Sequence, residues 1–279
     1  MNKMLLPLMS SLRSPRQKGR FSAGFTLVEL IVVILIVSIL ATLGGMFISH
    51  PIEGYVDLRR RAELVGQAEM ALRRMQRDIR AALPNSVRLY TDTDGNGIEL
   101  LHVVDGGRYR RNMGTSGGDI LDFTQADNKF DVLGGLRHAV DGRSYGVVIY
   151  NLAATGIVGN AYAGDNRSPG VYNADSTISL DNPTVFPFDS PSQRFFLVDQ
   201  AVVYHVANGI LWRHAGYAID NVADTPGGGV VVAQHVQSVA FQYAPGTPSR
   251  AGLVTITLTL QDGGEQVRLL HQVHVDNAP

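Results

Sequence analysis

The strongest constraint on this chain is an apolar run near its start, broken by one acid. From Phe25 to Ile48 it reads FTLVELIVVILIVSILATLGGMFI, with only Thr26, Glu29, Ser38 and Thr42 interrupting the apolar and glycine residues. At about 1.5 Å per residue a helix over this run spans a hydrocarbon core of ~30 Å. A cleaved secretory signal would have an apolar stretch of about 7–15 residues ending in small residues. This run is longer, and its glycine junction comes before it. Glu29 is the oddity. An ionisable side chain inside a membrane helix is costly without a partner and marks a functional position.

Charge is distributed to match. Lys3, Arg13, Arg16, Lys18 and Arg20 precede the run with no acid among them. That placement predicts a cytoplasmic leader. The remaining 19 bases face 25 acids, so the rest of the chain is mildly acidic. Such a balance argues against nucleic acid as a partner. Cysteine is absent, which excludes a disulfide framework and thiolate chemistry.

A second helical stretch follows. Leu58, Ala62, Val65, Ala68, Leu72, Met75, Ile79 and Leu83 recur at intervals of three and four, with arginines on the other faces. Pro84 is expected to end it, and Gly44, Gly45 and Pro51 to kink or locally melt it. From Pro84 onward, short β-type runs alternate with turns. Expected strands are 87–90, 98–104, 120–123, 147–150, 194–197, 202–206, 210–213, 236–243, 253–260 and 266–275. Asn208-Gly209 predicts a type I′ hairpin. The stretch 151–191, rich in Gly, Asn, Asp and Pro, reads as a long surface loop or partner-contact insertion.

Three motifs invite chemistry. Gly142-Arg143-Ser144-Tyr145-Gly146 matches G-x-S-x-G, but a nucleophile elbow needs a helix after it, and a β-rich run follows. Asp92, Asp94, Asn96 and Glu99 are candidate calcium ligands. Position twelve of that loop is Val103 instead of an acid, so a glycine-rich hairpin is the simpler reading. His271 and His274, three apart on a strand, point to opposite faces and cannot chelate together. Trp212 reads as packing. No catalytic constellation and no glycan-binding cluster emerges, so the expectation is a non-enzymatic protein without a required cofactor.

Gly24-Phe25-Thr26-Leu27-Val28-Glu29-Leu30 closely resembles the type IV prepilin cleavage motif. The resemblance implies cleavage between Gly24 and Phe25 by a prepilin peptidase, and N-methylation of the Phe25 amine. It implies that Glu29 serves assembly by pairing with a neighbouring subunit's amine. It further implies an α+β pilin-like lollipop with a leader (1–24), a transmembrane half-helix (25–50), an amphipathic half-helix (51–83) and a periplasmic β-rich domain (84–279). Partners would be other major and minor pilins, an inner-membrane assembly platform and the lipid bilayer. RDIRAALPNSVRL, GRYRR, LDFTQADNKFDVLGGL and AYAGDNR resemble MshO minor pilins of mannose-sensitive haemagglutinin-type pili. ILWRH, VQSVAFQY and GLVTITLTL resemble J-type pseudopilins and W-type minor pilins. The function implied is a minor pilin that starts or supports a fibre. The alternative is a minor pseudopilin of a type II secretion system, and a membrane-anchored periplasmic enzyme or binding protein stands further off.

Overall fold

The structure is a computed structural model that describes residues 24–92, 95–115, 117–156, 158–220, 228–246 and 250–276; of 45–53 and 91–95 only the backbone is described. The chain forms two compact units, Met1–Tyr55 and Val56–Pro279. One helix, α1 (Leu27–Arg80), contributes to both. Twelve strands follow: β1 (Arg88–Asp92), β2 (Gly95–Tyr109), β3 (Asp127–Leu133), β4 (Ser144–Ile149), β5 (Arg167–Asn173), β6 (Thr177–Thr184), β7 (Arg194–Ala207), β8 (Ile210–Tyr217), β9 (Val230–Ala233), β10 (Val236–Ala244), β11 (Gly252–Asp262) and β12 (Glu265–Val275). The fold class is α+β, an apolar N-terminal helix and then an antiparallel β-rich domain.

In the first unit, the α1 residues from Leu27 to Gly44 form an apolar segment of mean hydropathy 2.8 with none of it buried. Helical assignment runs through Gly44, Gly45 and Pro51 without interruption.

In the second unit, long β2 and β7 pair from Ile98↔Tyr204 to Arg108↔Arg194 and form the spine. At one end the strands fan out, with β1 beyond β2 and β8 then β9 beyond β7. At the other end the pairings run β2, β3, β6, β5, β4, β7 and back to β2, closing a six-stranded antiparallel barrel. Tyr109, Phe130, Phe195, Val147 and Ile178 fill its interior. A separate sheet, β10-β11-β12, completes the unit.

α1 buries Leu64, Ala68, Ala71, Leu72, Met75 and Ile79 in one cluster with Ile98, Leu100, Val202 and Tyr204 of the spine and Val254, Ile256 and Leu258 of β11. Ala68 and Ala71 keep the backbone close to the strands. Burial of Met75 and Ile79 stabilises by about 1.5–3 kcal/mol each. The stripe starts later than its periodicity predicted: Leu58 and Ala62 are exposed. The helix also ends before Leu83. The Leu83 N–H donates to the Leu101 carbonyl and the Val103 N–H to the Ala81 carbonyl, so pairing with β2 takes over three residues ahead of Pro84.

The stretch 151–191 is not a plain surface loop, because β5 and β6 lie within it as barrel staves. The inward positions of β5 are small or polar: Ser168 is buried, and a Cβ on Gly170 would come within 2.9 Å of the Ser179 carbonyl. Asn151, Asn160 and Asn166 are buried and anchor the connection before β5. The Asn151 amide donates to the Pro84 carbonyl and its oxygen accepts the Ala161 N–H. The expected strand at 120–123 is irregular chain in which Leu121 is buried, and the strand itself is β3. Runs 194–197 and 202–206 are one strand, β7, with a register shift around Asp199. Asn208 and Gly209 take φ of 53° and 73°, as a type I′ turn requires.

Candidate processing and assembly site

The N-terminal segment is built by its capping. Thr26 accepts the Glu29 N–H on its hydroxyl at 3.2 Å and the Leu30 N–H on its carbonyl at 3.1 Å. This is an N-cap, and Thr-Leu-Val-Glu carries its sequence signature. That signal lies in the sequence, beside the apolar run that drew the reading, and explains why the helix starts at Leu27. Glu29 lies in the first turn, where the helix dipole favours negative charge. Gly24, Phe25 and Glu29 are thereby gathered at one helix end, all exposed, with Phe25 at 80 %.

A Cβ added to Gly24 would meet nothing within 4 Å. The folded chain therefore makes no demand for glycine there, and any demand comes from outside. Beyond the cap, eighteen residues from Leu27 to Gly44 make the segment about 27 Å long as a helix. Its hydroxyls are satisfied internally: Ser38 donates to the Ile34 carbonyl at 2.7 Å and Thr42 to the Ser38 carbonyl at 2.8 Å. A lipid-facing helix needs this self-sufficiency. Glu29 is the one acid in the segment.

The other candidate sites separate. Glu99 is not available to a cation: it is 1 % exposed, takes Arg88 Nε at 2.7 Å and accepts the Tyr217 hydroxyl at 2.7 Å. Burial pushes its carboxyl pKa up, against the lowering effect of Arg88 and Tyr217. Asp92 pairs with Gly95 in the β1–β2 hairpin, and Asp94 lies outside the described residues. Among the described residues no three His, Cys, Asp or Glu side chains converge as a metal site. Ser144 opens β4 and pairs with Val171; a strand stands where a nucleophile elbow needs a helix. On β12, His271 shares the partly buried face with Val273 two residues on, whereas His274 is exposed on the other. Trp212 sits on β8, its ring 6.4 Å from that of His214.

Sequence reasoning missed several polar links in the β-rich unit. His102 Nδ1 meets Asp199 at 2.8 Å, and His205 and His214 share an Nε2–Nε2 contact of 2.8 Å. Each depends on strand register, which has no local sequence signal.

An exposed apolar helix, capped at its start and carrying one acid in its first turn ahead of an antiparallel β-rich domain, fits a membrane-anchored, type IV pilin-like protein. The prokaryotic N-terminal methylation motif family matches residues 19–45, spanning Gly24, Phe25 and Glu29. The motif implies processing by a prepilin peptidase and assembly with other pilins. No curated protein and no solved structure matches the chain.

Proposed function

We propose that the chain is a minor pilin of a mannose-sensitive haemagglutinin-type pilus, trimmed after Gly24, methylated on the Phe25 amine and drawn from the inner membrane into a fibre. Its role is structural and not catalytic. The leader stays cytoplasmic and the β-rich unit is periplasmic. The observation that carries the reading is Glu29, a lone carboxylate one turn into an exposed apolar helix that starts two residues after the Gly24–Phe25 bond. Neither a carboxylate nor an amine is tolerated singly in low dielectric, whereas together they hold two helices in register. A neighbouring subunit's new amine supplies the partner.

The test is mass spectrometry of the N-terminal peptide from membranes with and without the prepilin peptidase. A terminus at methylated Phe25 that disappears without the peptidase supports the reading. An intact leader in both, or a cut elsewhere, overturns it. The alternative is a minor pseudopilin of a type II secretion system. It is favoured by ILWRH, VQSVAFQY and GLVTITLTL, which fall largely on β8, β10 and β11. Deleting the protein decides between them: loss of pili supports the first, and retained exoproteins support the second.

A further inference from the structure

The last turns of α1 carry Arg73, Arg74, Arg77 and Arg80. With Met70 and with Val231 and Val232 of β9 they line a groove of about 610 Å³. No acid lines it. Arg73 leans on Glu69 of its own helix at 3.3 Å, with both side chains exposed. Arg74, Arg77 and Arg80 have no ion pair among the described residues. A concave surface lined by four cations focuses positive potential.

The groove's other wall is a strand edge. β9 ends its sheet and is paired on one side only, to β8, among the described strands. Val230 and Val231 are 54 % and 41 % exposed, and Met70 is 67 % exposed. Natural edge strands are usually guarded by charge, proline or a covering element; a short edge with bare valines is a template for another strand.

We propose that this groove docks an extended acidic segment of another protein, which adds as a strand to the free edge of β9 and sets alternate carboxylates on the arginines. The spacings agree. Arg73 and Arg77 are about 6 Å apart along the helix axis, close to the ~6.7 Å between side chains two apart on a strand. Arg80 lies about 4.5 Å further on. Apolar residues between the acids cover the exposed valines. Main-chain bonds to β9 supply affinity and the arginines supply selection, as in strand addition generally. The inference is independent of the fibre role, because it uses only α1 and β9 within the second unit.

The test uses the full chain in detergent micelles and a labelled heptapeptide of alternating glutamate and valine, with a glutamine–valine peptide as control. The glutamate peptide should bind at least tenfold more tightly than the control, and its ¹³C-labelled amide band should move to the antiparallel-strand position. Arg77→Glu with Arg80→Glu should weaken it tenfold or more and create affinity for a lysine–valine peptide. Both residues are exposed, so the variant should fold, and Arg77→Gln with Arg80→Gln should give an intermediate loss. Equal binding of the two original peptides, absence of the strand band in the bound state, or failure of the charge-swapped pair to bind would each overturn the proposal.

Discussion

Asp78 near the end of α1 and Arg213 on β8 meet at 2.6 Å, Oδ2 to Nε, and the Tyr204 hydroxyl of β7 donates to the same oxygen at 2.7 Å. One carboxylate thus fastens the helix to two strands across a cluster that is otherwise apolar. Burial works against the Arg213 charge, but the hydrogen bond and field of Asp78 prevail and raise its pKa. Register is the consequence. The buried stripe from Leu64 to Ile79 could slide along a greasy sheet, and a polar clamp at one end stops it.

Asp78→Asn keeps the shape and removes the charge. It should destabilise the β-rich unit by about 1–3 kcal/mol, the cost of leaving a mostly buried guanidinium with a neutral acceptor. Urea unfolding of wild type and variant measures it. An unchanged midpoint would mean that the carboxylate charge contributes nothing to the clamp.

The Arg88–Glu99 pair should behave differently, since it is almost fully enclosed, with side chains 7 % and 1 % exposed. Arg88 also lies 3.7 Å above the Tyr162 ring and donates to the Asp220 carbonyl. Glu99→Ala strands a buried cation and should cost about 3–5 kcal/mol. Replacing the set together, Arg88→Met with Glu99→Leu and Tyr217→Phe, should recover most of that loss, because burial already disfavours the Glu99 charge. If the triple variant is as unstable as the single one, the pair is a net source of stability and not merely a matched penalty.

The helix and the hairpins were legible because their signals are local. Thr26 to Glu29 carries a cap, Asn208-Gly209 carries its turn, and LVTITLTL alternates along β11. What escaped depends on closure. β5 hides because a narrow barrel admits Ser168 and Gly170 at inward positions, so its pattern reads polar, and β6 has only Ile178 and Leu180 as apolar inward residues before its polar end. β7 looked like two strands because Asp199 and Gln200 interrupt its apolar run; they sit at a bulge, and Asp199 is there to meet His102. Gly24, Phe25 and Glu29 lie within the residues that the methylation motif family matches, and their resemblance to a cleavage motif is local. The arginine groove was not legible, since β9 supplies one wall and is only four residues long.

Two histidines should shape stability around neutrality with opposite signs. The hydrogen bond that His102 donates to Asp199 raises the His102 pKa above 6.5, against burial. Its contribution is therefore fully present below about 6.5 and is lost as pH rises through the folded-state value. Burial, then the neighbouring His205, lowers the His214 pKa below 6.5. That contribution is present above 6.5 and is lost as pH falls through the folded-state value. Urea midpoints taken across pH 5 to 8 should show His102→Gln flattening the alkaline decline and His214→Gln flattening the acid one. If both slopes survive both substitutions, other groups carry the pH dependence.

At the N-terminal site, the proposed cleavage and the proposed assembly contact rest on separate residues. Gly24 has open space around it, so Gly24→Ala should fold and insert normally. It should nevertheless accumulate as uncut precursor, because the demand for glycine belongs to the peptidase. Glu29→Val removes the one acid from the segment and makes membrane residence easier, since an ionisable side chain in a membrane segment is costly without a partner. It should be trimmed and retained in the membrane, yet enter fibres at least tenfold less often, as a surplus of membrane over sheared-fibre signal on immunoblots. Glu29→Asp keeps the charge on a shorter arm and should fall between. Equal incorporation of Glu29→Val with the variant as sole copy would mean that helices register without the carboxylate, and the pairing role assigned to Glu29 would fall while processing at Gly24 stood.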